Sequence, residues 1–198
     1  IKNKKIVNMY RRGKFIVFDF NESIIAIHLR MTGKLYVKPK LDKTKKHISA
    51  ILKFSDKYLI FEDTRKFGRF YLYDSIDFLD NKLGVEPFSE DFTEKWLINN
   101  LKTKNRQMKA LLLDQSFIVG LGNIYADESL WHAKIHPLSK SDLISVKKIK
   151  ALYKAIKKVL LESIKRGGTT IRDYTYNYSY VGNYALQLNV YGRKDQKC

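Results

Sequence analysis

The hydrophobic pattern of this chain changes period once, near residue 83, and that change fixes its class. Before it, short apolar runs are separated by polar turns: 14–20, 24–29, 34–37, 48–54, 58–63 and 69–74. These runs are rich in β-branched and aromatic residues, so they read as strands, and the connectors NES and SDK have hairpin length. Several short strands at close spacing predict an antiparallel sandwich or barrel. After residue 83, apolar residues recur at helical spacing. Helices are predicted over 93–103, 107–114 and 123–133, with a long one over 141–166 lined by Ile149, Leu152, Ile156, Val159 and Ile164. Ser89 followed by two acids predicts a helix start, and Gly167–Gly168 a helix stop. The stretch LGVEPFSEDF (83–92) reads as a linker, and 188–193 as a short strand. Strands followed by helices make the expected class α+β.

Charge narrows the partners. The chain carries 38 Lys and Arg against 20 Asp and Glu, a net +18. That surplus implies a polyanion; nucleic acid leads, and an acidic membrane surface is the weaker alternative. No apolar run reaches the length that spans a bilayer. Cys198 is the only cysteine, which excludes an internal disulfide and fits a reducing cytosol. No secretory signal is visible, and the chain begins at Ile1 rather than Met. Nothing suggests more than a monomer. The loop 38–47 carries five lysines and reads as either a solvated loop or a phosphate-facing one.

The stretch VGLGN (119–123) places a glycine turn before a helix start. Exposed backbone N–H groups at a helix N-terminus bind anions, and glycines let a phosphate approach closely. Asn123 reads as the cap. A packing corner between two helices answers the same pattern, and on spacing alone it carries more weight.

The surrounding segment DQSFIVGLGNIYADESLWHAKIHP (114–137) resembles the helix–two-turn–helix signature of bacterial formamidopyrimidine-DNA glycosylases, a family with the endonuclease VIII proteins as its sister branch. RRGKF (11–15), HLRMTGKL (28–35), DTRKFGRF (63–70), GGTTIRDY (167–174) and YGRKDQKC (191–198) match the same family in order, so the resemblance covers nearly the whole chain. It implies an N-terminal antiparallel β-sandwich domain (1–86), a helical domain with the helix–two-turn–helix motif (87–190) and the start of a zinc finger (191–198), with DNA held between domains. It implies a monomeric enzyme of the bacterial cytoplasm that excises oxidised purines from double-stranded DNA and cleaves the abasic site through a Schiff base. The family's N-terminal proline nucleophile and the glutamate after it have no counterpart here. The expectation is therefore a fragment, inactive by itself.

Residue by residue, the resemblance implies that Lys14 acts in β-elimination and contacts phosphate. Met31 and Phe67 act as wedges in the gap left by an extruded base, and Arg65 bonds the orphaned cytosine. His28, His47, Lys104, Asn123 and Tyr191 contact the DNA backbone. Cys198 is the first of four ligands to a structural zinc. The bland alternatives are a surface lysine for Lys14 and core positions for Met31 and Phe67; Gly33 and Gly68 predict turns there, and so exposed tips. The four histidines have no metal-ligand spacing, and His132 and His136 read as structural. Five tyrosines in 174–184 sit where the resemblance implies a polar loop over the extruded base, a departure from the family pattern at the position that meets the lesion. Three further readings stand beside the enzyme: a non-catalytic damaged-DNA-binding relative, an endonuclease VIII-type pyrimidine glycosylase, and an RNA-binding protein of ribosomal type. The last explains charge and size but not six ordered motifs.

Overall fold

A computed structural model describes residues 2–42, 44–169 and 182–196. The chain forms two compact units, Ile1–Ile76 with Gly167–Ala185, and Asp77–Arg166 with Leu186–Cys198.

The first unit holds seven antiparallel strands: β1 (Asn8–Arg12), β2 (Phe15–Asp19), β3 (Ile24–His28), β4 (Gly33–Lys38), β5 (Ile48–Lys53), β6 (Tyr58–Asp63) and β7 (Arg69–Tyr73). They form a four-stranded sheet, β1-β2-β3-β7, and a three-stranded sheet, β4-β6-β5. Phe18, Ile25 and Ile27 of the first sheet pack with Leu59 and Phe61 of the second in one apolar cluster, which makes this a sandwich. The predicted α+β class, with strands preceding helices, is what forms. The strand β1 was not expected, because NMYRR at the sheet edge carries no apolar alternation and is mostly exposed.

The second unit contains α1 (Asp77–Asp80), α2 (Glu94–Lys102), α3 (Met108–Leu113), α4 (Asn123–His132) and α5 (Val146–Lys165). Leu97, Leu101, Met108, Leu111, Ile149 and Leu152 are among the side chains that build its core. Thr93, not Ser89, starts α2: its Oγ1 accepts the Trp96 N–H at 3.0 Å. The long predicted helix is shorter, because Ser145 caps α5 and 141–143 forms a separate 3-10 turn. Its apolar stripe is as expected through Val159, but Ile164 is 64% exposed. The expected strand at 188–193 is absent; those residues form bends and a turn. Nor is 83–85 a free linker. Gly84 N–H donates to Gln115 O at 2.8 Å and Val85 N–H to Phe117 O at 3.2 Å, so this stretch braces the turn before α4.

Candidate nucleic-acid interface

Three loops of the β unit carry expected DNA contacts, and one residue joins all three. Asp63 ends β6 and is 1% exposed. Its carboxylate accepts the Thr32 hydroxyl at 2.5 Å and the Gly68 N–H at 2.7 Å. It also accepts the Arg65 and Phe67 N–H groups. Its own N–H donates to His47 O at 2.9 Å. Burial pushes the Asp63 carboxyl up, but the Thr32 hydroxyl and the Gly68, Arg65 and Phe67 N–H groups together hold it below the usual carboxylate range. Sequence reasoning missed Asp63. The available signal was an acid closing an apolar strand run directly before Thr64-Arg65.

These loops present Met31, Arg65 and Phe67 to solvent together. Met31 is 60% exposed and Phe67 47%, so neither is a core residue. Arg65 Nη1 lies 3.4 Å from Met31 Sδ, and its guanidinium sits 4.8 Å from the centre of the Phe67 ring. Gly33 and Gly68 are required for a different reason than expected. Neither has positive φ; a Cβ on Gly33 would stand 2.3 Å from Leu29 O, and one on Gly68 2.2 Å from Phe61 Cζ. The left-handed positions are instead Arg30 (φ 55°), His47 (φ 68°) and Lys66 (φ 57°), one per loop. Non-glycine residues hold such φ values when their surroundings fix them.

Lys14 lies in the two-residue turn between β1 and β2, half-buried. Burial lowers its pKa, and the Arg30 charge adds to the effect. His28 ends β3, stacks edge-on to Phe15 at 4.9 Å and accepts the Arg30 N–H on Nδ1 at 3.0 Å. Burial, then Arg30 and Lys14, pull its pKa down to about 4. Neutral His28 with Nδ1 accepting carries its proton on Nε2, so it offers an anion one N–H donor. His47 is exposed. In the lysine-rich loop, Lys45 does not face phosphate; its Nζ binds Glu62 at 2.7 Å and Tyr36 Oη at 2.9 Å. Lys43 lies outside the described residues.

In the helical unit, Gly122 is the N-cap of α4, and Asn123 is its first helical residue, exposed. Asn123 is thus not the cap that the sequence suggested but the first residue of the helix. The turn before it is built by Gln115, whose Nε2 donates to Leu113 O and Leu121 O at 2.8 and 2.9 Å, and whose Oε1 accepts the Gly120 N–H at 3.0 Å. Gly120 has φ 93°. Val119 and Leu121 are buried, so the turn is both a packing corner and a presenter of the α4 N-terminus. Lys104 follows α2 with its Nζ 5.9 Å from the Phe117 ring centre, and its carbonyl accepts the Ser141 hydroxyl.

Tyr191 is held by Glu128, a fully buried acid on α4 that sequence reasoning also missed. Glu128 accepts the N–H groups of Asn189, Val190 and Tyr191 at 2.9–3.0 Å, and Asn189 Nδ2 at 3.0 Å. Burial raises its pKa, the hydrogen bonds lower it, and the hydrogen bonds prevail. Of the five tyrosines, Tyr184 is 1% exposed and cannot stack on a base; the other four lie outside the described residues, as does Cys198. One cysteine cannot build a tetrahedral site. Among the described residues no three His, Cys, Asp or Glu side chains gather to hold a metal ion, so these residues do not fit a zinc finger by themselves. Among the described residues no helix is long and apolar enough to cross a membrane.

Comparison with known proteins gives a consistent pattern. Residues 1–70 match the family profile described as formamidopyrimidine-DNA glycosylase N-terminal domain, and 83–175 the profile of the formamidopyrimidine-DNA glycosylase H2TH domain. The formamidopyrimidine-DNA glycosylase of Bacillus licheniformis is 39% identical, over all of this chain and 74% of the relative. That of Rickettsia felis is 40% identical over the same shares. A Lactococcus lactis Fpg variant bound to Fapy-dG DNA superposes with TM-score 0.88 at 38% identity, covering 98% of this chain and 73% of that one. A MutM (Fpg) protein from Thermus thermophilus gives 0.87 at 34% identity, covering 98% and 74%. A third match, 0.87 at 38% identity over 98% and 73%, is Lactococcus lactis Fpg in complex with DNA containing an abasic site.

Proposed function

Since the chain belongs to the formamidopyrimidine-DNA glycosylase family, we propose that it provides the lesion-recognition and DNA-holding parts of a base-excision enzyme that removes oxidised purines, 8-oxoguanine and formamidopyrimidines, and cleaves the resulting abasic site. The observation that carries this reading is the exposed Met31–Arg65–Phe67 group, assembled by contacts of 3.4 and 4.8 Å on loops tied to a buried carboxylate. A base swung out of a duplex leaves a gap of about one base thickness and an unpaired partner. A flexible thioether and an aromatic ring fill the gap, and the guanidinium fork donates to the acceptor edge of cytosine.

Lys14 has the environment for proton transfer during elimination, since burial and Arg30 both raise the free-amine fraction of its side chain. His28, His47, Lys104, Asn123 and Tyr191 serve as phosphate contacts. They fix register and add to the salt dependence that the net charge of +18 supplies. Zinc enters no step proposed for these residues.

Two measurements test the proposal. This chain should bind a duplex with an abasic-site analogue opposite cytosine at least about tenfold more tightly than the intact duplex at matched salt, a modest fraction of usual specificity ratios. Equal affinity, or stronger competition by structured RNA, overturns it. Borohydride treatment of the intact protein with an 8-oxoguanine duplex should give a covalent adduct; no adduct removes the enzymatic part.

A further inference from the structure

The backbone N–H of Asp63 and both of its carboxylate oxygens are committed to loops that carry an expected DNA contact. The N–H reaches His47 O at 2.9 Å, on the β4–β5 loop. Oδ1 takes the Thr32 hydroxyl at 2.5 Å, next to Met31 on the β3–β4 loop. Oδ2 takes the Gly68 N–H at 2.7 Å, and the carboxylate also draws in the Arg65 and Phe67 N–H groups of the β6–β7 loop. Thr32 is buried as well, and its hydroxyl accepts the Arg65 N–H at 3.3 Å, a second link between the same two loops. The far side is closed by Phe61, two residues earlier on β6, against which both Gly33 and Gly68 pack with no room for a Cβ. Arg69 Nη1 then donates to the Lys66 and Gly68 carbonyls at 3.2 and 3.1 Å, bracing the loop from its other end.

The chemistry needs this. Hydrogen bonding of a side chain to one particular base requires that the guanidinium be held near its productive position before the base arrives. Arg65 is long, exposed and rotamer-rich, and its side chain rests on Met31 and Phe67, themselves exposed. A neutral turn would leave the three side chains to fluctuate separately. A buried carboxylate gathering N–H donors fixes the backbone of both loops, because leaving it unpaired in an apolar setting is costly.

We infer that Asp63 is a positioning residue that makes Met31, Arg65 and Phe67 one preorganised unit and thereby sets the preference for cytosine opposite the lesion. It touches no DNA itself. The inference rests on the orphan-base role proposed for Arg65, and it adds a cause for that role at a residue with no contact to the base.

The test compares the natural protein with Asp63→Asn, Thr32→Val and the control Ile60→Val, a buried β6 position on the same strand that contacts none of the three side chains through hydrogen bonds. In Asp63→Asn the amide nitrogen cannot accept the Gly68 N–H; in Thr32→Val the hydroxyl is lost at nearly constant volume. The ratio of kcat/KM for 8-oxoguanine opposite cytosine to that opposite adenine is measured below each variant's unfolding temperature. The ratio should fall about tenfold in both loop-strap variants and stay unchanged in Ile60→Val, as expected when an interaction made only with the correct partner is weakened. Hydrogen exchange at the 65–68 amides of this chain without DNA should quicken in Asp63→Asn alone or with Thr32→Val, and not in the control. A natural protein with no opposite-base preference defeats the orphan-base role and leaves the exchange measurement to decide the strap. A preference that survives both substitutions, or unchanged exchange, overturns the inference.

Discussion

The Nη1 atom of Arg65 stands 3.4 Å from the sulfur of Met31, across 34 residues of sequence. Two loops that meet through their tips, each rooted in the same buried carboxylate, form a unit that neither loop could build alone. The same guanidinium sits 4.8 Å from the centre of the Phe67 ring. Cation, thioether and ring are all exposed, an arrangement a protein core never uses for an arginine, and one that suits insertion into a stack of bases.

Arg65→Ala should therefore separate two kinds of DNA affinity. Loss of a bidentate contact to an unpaired base is worth about 1–3 kcal/mol, or roughly five- to 150-fold. Affinity for an abasic-analogue duplex opposite cytosine should drop by that amount. Affinity for intact duplex, which rests on summed charge, should change by less than about threefold. Titrations of both duplexes at one salt concentration measure the difference. Equal losses would argue that Arg65 is one more phosphate contact.

Much of this was legible from the sequence, for identifiable reasons. The six apolar runs became β2 to β7 because β-branched and aromatic residues alternate against a turn-rich background, and the helical periods that begin at 93 and 123 became α2 and α4. Polar residues that are buried were not legible. Asp63 and Glu128 look like solvated acids in sequence, and only the surrounding N–H groups reveal that they hold backbone. Glu128 did leave a trace: it lies beside Ser129 and Leu130 and two residues after Ala126, all buried on α4. Gly33 and Gly68 follow the turns that the sequence suggested, but close packing against Phe61 is what requires glycine there, while Arg30 and Lys66 adopt the left-handed φ. A linear pattern reports neither how near another strand passes nor which residue bends.

His28 supplies a pH signature. Its pKa is pulled to about 4, first by burial and then by Arg30 and Lys14, against an unfolded value near 6.5. The unfolded chain thus binds a proton that the folded chain refuses between those values. By linkage, stability must rise with pH from about 4 to about 6.5 and be level above that range for this group. In His28→Gln that portion of the slope should vanish from urea titrations taken across the window. The imidazole resonances of the natural protein should titrate near 4, with Nε2 protonated at neutral pH. A midpoint near the unfolded value would mean that the ring is solvated rather than buried.

Glu128→Gln probes how the 189–191 segment is held. The substituted amide turns one acceptor into a donor facing N–H groups at 2.9–3.0 Å. Hydrogen bonds to a charged acceptor contribute about 1.5–3 kcal/mol each in the net, so a loss of about 3 kcal/mol or more in folding stability is expected. Because hydrogen bonding overcomes burial and keeps this carboxyl below its usual range, its contribution is present at neutral pH and disappears as pH falls through the lowered folded value. The gap between natural and variant stability should therefore narrow on acidification, and amide exchange at 189–191 should quicken in the variant first. A gap that persists when the carboxyl is fully protonated would mean that packing, not ionisation, holds the segment.

Gly120 and Gly33 are both expected to resist substitution, for opposite reasons, and the contrast is measurable. At Gly120 an added Cβ meets nothing within 4 Å, so only φ of 93° opposes an alanine. That conformational penalty is about 1–2 kcal/mol, and the hydrogen bond from its N–H to Gln115 should survive. At Gly33 φ is ordinary, but the Cβ would stand 2.3 Å from Leu29 O and 2.9 Å from Phe61 Cε2. Backbone cannot yield as a side chain does, so Gly33→Ala should cost more than Gly120→Ala, about 3 kcal/mol or above as overpacking at its upper range. Denaturant midpoints with unchanged slopes give both numbers. The substitutions should differ in reach too: Gly33→Ala displaces the Met31 loop and lowers preference for the abasic-analogue duplex, whereas Gly120→Ala leaves that preference intact because its strain is confined to the turn ahead of α4. If Gly120→Ala were neutral, the turn would have to relax to negative φ without losing the Gln115 bracket, and its glycine would then be dispensable.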